Sequence, residues 1–197
     1  MNNKRYSGYI IAAVLGLLVL YTIITYNGLV AKEELVKKQW NEVNSAYQRR
    51  VDLIPNLVNV VKGQANFEQN VLVEVTEARA KASSVNVNSG EITADNFNKQ
   101  SAAQNELAVA ASRLLITVEK YPELKGAAAF AGLQTQLEGT ERRIKVARKD
   151  FNASIATYNS SVKSFPTNIV GSLLGFKAKE GFQSDVGADK SIDVKFK

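Results

Sequence analysis

From Gly8 to Tyr26 the chain reads GYIIAAVLGLLVLYTIITY, without a single charged side chain. No other feature constrains the fold as strongly. As a helix the run rises ~28 Å, enough to cross a hydrocarbon core of about 30 Å. Tyr6 and Tyr9 stand at one end, and Tyr21 and Tyr26 towards the other. Rings with one polar tip favour that headgroup level. Tyr9, Ile10, Ile11, Val14, Leu17, Leu18, Leu20, Tyr21 and Ile24 are the residues expected to meet lipid. A cleaved signal peptide would start on a similar basic flank, here Lys4 and Arg5. The apolar run is long for such a peptide, and no small-x-small cleavage pattern follows it. The reading is an uncleaved, single-pass anchor. Its orientation is close to a tie. Lys4, Arg5 and the terminal amine precede the run and Lys32, Lys37 and Lys38 follow it, and the positive-inside rule counts these cations while largely ignoring acids.

Beyond the anchor, apolar residues recur at helical spacing. Leu29, Val36, Trp40, Val43, Tyr47 and Ile54 are separated by steps of seven, four and three, a heptad seam suited to left-handed helix packing. Pro55 interrupts it, either opening a new helix or kinking a continuing one. Leu57, Val60, Val61, Phe67, Val71, Val75 and Ala78 carry the pattern on, to an end near Ser83. The Ser-, Asn- and Gly-rich stretch from Ser83 to Thr93 predicts a loop, with Thr93 as N-cap of a third helix running to about Lys120. Phe97, Leu107, Ala111, Leu114, Leu115 and Val118 form its inward face. Tyr121 to Gly126 makes the next turn, because Pro122 disfavours helical geometry at Tyr121. A fourth helix follows from about Ala127 to Ser164, ~55 Å long. Its stripe is Phe130, Leu133, Leu137, Thr140, Ile144, Ala147, Phe151, Ile155, Tyr158, Val162 and Phe165. A stripe of that length must be covered by partner helices. The expected fold is all-α, an N-terminal transmembrane helix followed by an elongated antiparallel bundle of three to four long helices.

The expected divisions are a short basic tail at 1–7, the membrane helix at 8–26, the bundle at 27–165 and a C-terminal part at 166–197. Ile169, Leu173, Leu174, Phe176 and Phe182 give that last part an amphipathic segment, packed on the bundle or lying on a membrane surface. Val186 to Lys197 is charged and expected to be disordered.

Composition narrows the chemistry. The sequence has no Cys and no His, so thiol nucleophiles, disulfides, zinc–thiolate sites and imidazole acid–base catalysis are excluded. Glu33 and Glu34 are adjacent on a helix and do not face each other, so they make no acid/base couple. No phosphate loop, metal-ligand spacing or catalytic triad occurs. Catalytic, metal and cofactor sites are all read as none. The net charge of +6 is interspersed with acids, as where Arg142, Arg143, Lys145, Arg148 and Lys149 alternate with Glu138, Glu141 and Asp150. That is a solvated helix face, not a nucleic-acid footprint.

A family is recognisable in the strings that punctuate this pattern. Tyr26-Asn-Gly-Leu-Val30, Trp40 and Tyr47-Gln-Arg-Arg-Val-Asp-Leu-Ile-Pro-Asn-Leu-Val58 are followed by Val60-Val-Lys-Gly63 and Glu77-Ala-Arg79. Then come Gln136-Leu-Glu-Gly-Thr-Glu-Arg-Arg-Ile144, Ala147-Arg148, Tyr158-Asn159, Phe165-Pro166 and Gly175-Phe176. Together they resemble the LemA family of bacterial membrane proteins over most of the chain. One departure is Phe151-Asn152, where the family pattern has Tyr-Asn. Phe keeps the packing and loses a hydroxyl. The resemblance implies an N-terminal anchor, a helical bundle and a bacterial inner-membrane location. It marks Trp40, Gln48, Arg49, Arg50, Asp52, Pro55, Asn56, Glu141, Arg142 and Arg148 as signature and candidate interaction residues. It also implies proximity to membrane metallopeptidases.

Position 50 continues the seam, so a charge there must be paired or reach solvent. Glu74, Glu106 and Glu141 are the candidate partners for Arg50, in a role that sets bundle register, with a partner-docking or anion site near Pro55 as the alternative. Trp40, on the same seam, reads as core. The function expected is that of a non-catalytic scaffold or adaptor, without cofactor. Its partners would be the lipid bilayer, a second copy or another membrane protein such as a metallopeptidase. The competing readings are a signal-sensing bundle and an accessory factor of a membrane metallopeptidase.

Overall fold

A computed structural model describes residues 3–63, 67–90 and 92–182, so the expected disorder of Val186 to Lys197 concerns residues outside those described. The described residues form six helices: α1 (Asn3–Lys62), α2 (Gln69–Ser84), α3 (Ala94–Val118), α4 (Pro122–Lys125), α5 (Ala128–Lys163) and α6 (Thr167–Leu173). Among the described residues there is no strand. The fold is the all-α bundle the periodicity predicts, with a long apolar N-terminal helix.

α1 has 60 residues, a rod of ~90 Å. It passes through Asn27-Gly28 without a break. Its apolar first part is exposed from Tyr6 to Leu20, with Leu17 at 66%, and is long and apolar enough to cross a membrane. Burial begins at Tyr21, Thr22 and Thr25 and settles into the seam. Leu29, Val36, Trp40, Val43, Tyr47, Arg50, Ile54, Leu57 and Val61 are all buried.

α5 runs antiparallel along α1, as shown by Lys32 meeting Ser161, Tyr47 meeting Arg148 and Arg50 meeting Glu141. Its 36 residues span ~54 Å. α2 and α3 form a shorter antiparallel pair on one side of α1 and α5. Thr93 caps α3, its hydroxyl accepting from Asn96 N at 3.3 Å. Tyr121 is non-helical before Pro122, as expected, but the turn itself closes into the short helix α4.

Two boundaries differ from the sequence reading. Pro55 lies inside a continuing helix, the second of the two courses open to it, but the stretch read as running from Leu57 to Ser83 is divided: α1 ends at Lys62 and α2 begins at Gln69. The signal was the step of six from Val61 to Phe67, which leaves the face that steps of three, four and seven keep. At the other end Phe165, placed by spacing on the inward stripe, is 81% exposed. α5 stops at Lys163 and the chain turns at Pro166, so the stripe ends at half-buried Val162.

Pro55 survives inside a helix because another element repairs its defect. It has no N–H to give the carbonyl of Val51, four residues back. That carbonyl instead accepts from Arg79 Nε on α2, at 3.0 Å. Arg79→Ala should cost about 1–3 kcal/mol, the penalty of an unmade buried bond. In a Pro55→Ala background the new amide can serve Val51 itself, and the same change should cost about 1 kcal/mol less. Denaturant titration of the four proteins measures this coupling; strict additivity would show that Arg79 is not the substitute donor.

The core has two parts. The distal cluster gathers Ile54, Leu57, Val61, Phe67, Val75, Leu107, Leu114, Phe130 and Leu137. The cluster nearer the apolar run gathers Val36, Trp40, Val43, Tyr47, Phe97, Ile144, Phe151, Ile155 and Tyr158. A polar layer built on Arg50 lies between them.

After α6 the chain turns at Gly175, whose φ of 82° is left-handed and favours glycine, and lies back along α5 as an extended strap. Two asparagines one heptad apart hold it. Asn159 donates to Lys179 O and accepts from Lys179 N, both at 2.8 Å. Asn152 does the same for Phe182, at 2.9 and 2.8 Å. Asn159, inside α5, is thus a clamp on extended backbone.

Candidate docking groove and buried charge layer

The marked residues divide between interior and surface, because Tyr47-Gln-Arg-Arg-Val-Asp winds through a full helical turn. Tyr47, Arg50 and Val51 face inward, while Gln48, Arg49 and Asp52 face solvent. Asn56 is exposed and Pro55 half-buried.

Arg50 is 2% exposed. Its Nη1 donates to Gln104 O on α3 at 2.8 Å, and its Nη2 to Glu141 on α5. Of the three expected carboxylates Glu141 takes the role, while Glu106 pairs with Lys81 and Glu74 with Arg113. One cation thus ties α1, α3 and α5 at a single level. Its Nε has no hydrogen-bond partner among the described residues, so the layer is not fully satisfied. Beside it Arg148 Nε donates to Tyr47 Oη at 3.0 Å, and Arg148 Nη2 to Asn105 at 2.9 Å. Burial pushes the Tyr47 phenol above its ordinary value, against the opposing pull of Arg148. The phenol stays a neutral hydroxyl at physiological pH. Trp40 is fully buried and donates from Nε1 to Val87 O at 2.9 Å.

Of the surface members, Gln48, Arg49, Asp52 and Arg142 line one open groove between α1 and α5, and Asn56 lies outside it. Lys38, Glu42, Gln48, Arg49 and Asp52 come from α1, and Arg142, Arg143, Val146 and Asp150 from α5. Gln48 Nε2 donates to Asp52 at 2.8 Å, one helical turn away. Arg49, Arg142 and Arg143 make no ion pair among the described residues. Four cations stand against three acids here, so the groove is polar and slightly positive. Val146, 57% exposed, is an apolar spot within it. Periodicity placed these charges on solvated faces. That two such faces come together could be read only from the antiparallel register of α1 and α5.

Comparison with known proteins fits this architecture. The chain is 25% identical over 187 residues to the magnetosome proteins MamQ 1 and MamQ 2 of Paramagnetospirillum magneticum, covering 86% of this chain and 69% of theirs. It is 26% identical over 199 residues to magnetosome protein MamQ of Magnetospirillum gryphiswaldense, covering 91% and 73%. It is 23% identical over 150 residues to protein LemA of Metamycoplasma hominis, covering 75% and 64%. The family model that matches spans residues 39–196, from the residue before Trp40 through the groove and the strap, and by that match the chain belongs to the LemA family.

Proposed function

We propose that this membrane-associated protein is a single-pass, non-catalytic scaffold of the bacterial inner membrane, whose bundle docks another membrane protein in the α1–α5 groove. The observation that carries the reading is the groove itself. α2 and α3 cover one side of the α1–α5 pair, while the opposite side is left open and lined by Gln48, Arg49, Asp52 and Arg142. Three guanidinium groups without ion-pair partners among the described residues suit an acidic helix or segment, since Arg is the residue type best fitted to carboxylate recognition at interfaces. The continuous α1 supports the rest of the reading, because it would hold the groove at a fixed height and orientation above the bilayer.

Photocrosslinking in native membranes tests this. A benzophenone amino acid at Gln48 or Val146 should give discrete higher-mass adducts, and one at Asn98 on α3 should not. The double reversal Arg49→Glu, Arg142→Glu should lower adduct yield at least about fivefold, since like charges across an interface repel. Adducts of twice the chain mass would identify the partner as a second copy. Equal yields at Asn98 and in the groove would remove the docking role.

A further inference from the structure

We infer that the α5–α6 turn and α6 form a second membrane-contacting element, seated in the same bilayer leaflet as the C-terminal end of the α1 apolar run. The inference rests on Gly8–Tyr26 spanning the bilayer and adds to it a lipid-facing surface from the opposite end of the sequence.

The height of this element comes from three contacts. Thr167 Oγ1 lies 3.4 Å from Tyr21 Oη. The position of Gly171 faces Leu29, and the ring of Phe176 meets Tyr26 edge-on, 5.8 Å between centroids. The chain therefore descends along α1 to the level of Tyr21 and climbs again. Tyr21 is five residues short of Tyr26, or ~7 Å along the axis. Interfacial helices bury their apolar faces about 5–10 Å into the boundary between headgroups and acyl chains. Moving the boundary down to avoid immersing the turn does not work. A span from Gly8 to Tyr21 would rise only ~21 Å, some 9 Å less than the hydrocarbon requires.

The side chains at this level suit lipid. Phe165 and Leu173 are 81% and 82% exposed, Ile169 is 54% exposed, and all three stand free of the bundle. Ile169 and Leu173, four apart on α6, share a face, and Phe165 projects from the turn that precedes it. Carboxylates are absent here. No Asp or Glu precedes Glu33, and none falls between Asp150 and Glu180. Glu33 itself is neutralised by Lys179 at 2.9 Å. Lys163 and Lys177 flank these three residues, both exposed and without ion pairs among the described residues, placed to reach lipid phosphates while their stems follow the apolar surface. A water-facing surface has no need to exclude every acid while exposing two of its largest apolar side chains.

The test uses the full-length chain in phosphatidylcholine–phosphatidylglycerol vesicles whose acyl chains carry bromine, a contact quencher of indole fluorescence. Trp40 is the native chain's single tryptophan; buried in the bundle, it supplies an unquenched background. Phe165→Trp and Leu173→Trp should each add emission that brominated lipid reduces by about half or more, with circular dichroism unchanged from the parent. Leu17→Trp, inside the apolar run, is the reference. If Leu17→Trp is quenched while Phe165→Trp and Leu173→Trp are not, the inference fails and the span stands. If Leu17→Trp is also unquenched, the span itself fails. Unquenched indoles that aqueous acrylamide reaches would place these positions in water, and indoles shielded from both quenchers would place them against protein; either result overturns lipid contact.

Discussion

Glu141→Ala should destabilise the bundle more than Arg50→Met, although Arg50 is the buried member of the pair. Removing Glu141 leaves a guanidinium that is 2% exposed with Gln104 as its sole remaining acceptor among the described residues. Stripping one partner from a buried pair costs about 3–5 kcal/mol. Glu141 is itself 42% exposed, so water recovers part of that loss, and about 2–3 kcal/mol is the expected cost. Arg50→Met removes the charge and keeps an unbranched chain in the same slot. Glu141 then turns to solvent, and replacing a buried ion by a hydrophobe of similar shape is often neutral or stabilising. The Gln104 carbonyl loses one donor, for about 1 kcal/mol. Denaturant titration of the solubilised full-length chain gives both numbers. An Arg50→Met variant that is the less stable of the two would show that the layer contributes net stability and not register. Register has its own readout. With the layer apolar, α3 and α5 can slide against α1, so disulfide trapping between cysteines introduced at Asn44 and Gln100, whose side chains meet at 2.9 Å, should lose its selectivity over positions one turn away.

The division between what the sequence revealed and what it withheld follows from the range of the interactions. The α1 seam and the α5 stripe were legible because a helix repeats its buried face every three or four residues, whatever covers it. The apolar run was legible because nothing but length and lack of charge defines it. The repair of Pro55 by Arg79 was not, since it depends on the docking of α2, and a motif such as Glu77-Ala-Arg79 does not say which carbonyl it serves. The same holds for Asn152 and Asn159. Asparagine mid-helix is weakly informative, and its paired bonds to Lys179 and Phe182 require a strap with no periodicity of its own. The α1–α5 groove combines both cases. Gln48, Arg49, Asp52 and Arg142 could be marked as surface residues one helix at a time, but their convergence is a property of the α1–α5 register.

Trp40→Ala should be the most damaging single substitution in the soluble part, costing about 3–5 kcal/mol. The indole is fully buried where four segments meet. Its ring centre lies 5.5 Å from Phe97 on α3, 5.1 Å from Phe151 on α5 and 6.2 Å from Phe182 on the strap. Its N–H holds the loop between α2 and α3 through Val87 O. Phe182 is gripped as well by Phe97 at 4.5 Å and by the Arg148 guanidinium at 4.7 Å above its ring, so losing the indole loosens the strap as well as the core. Trp40→Phe separates the contributions. It keeps a ring among rings and forfeits the hydrogen bond, while Asn44 still serves Val87 O at 2.8 Å, so about 1–2 kcal/mol is expected. The strap gives the second readout. Lys177 lies between α6 and the Asn159 clamp, and Lys179 is the residue that clamp holds. Trypsin should cut there faster in Trp40→Ala than in Trp40→Phe under conditions where both remain helical. If the two substitutions cost the same and leave the strap equally resistant to trypsin, the hydrogen bond to Val87 O in the α2–α3 loop, not the packing of the indole against Phe182 and its neighbours, would carry the contribution of Trp40.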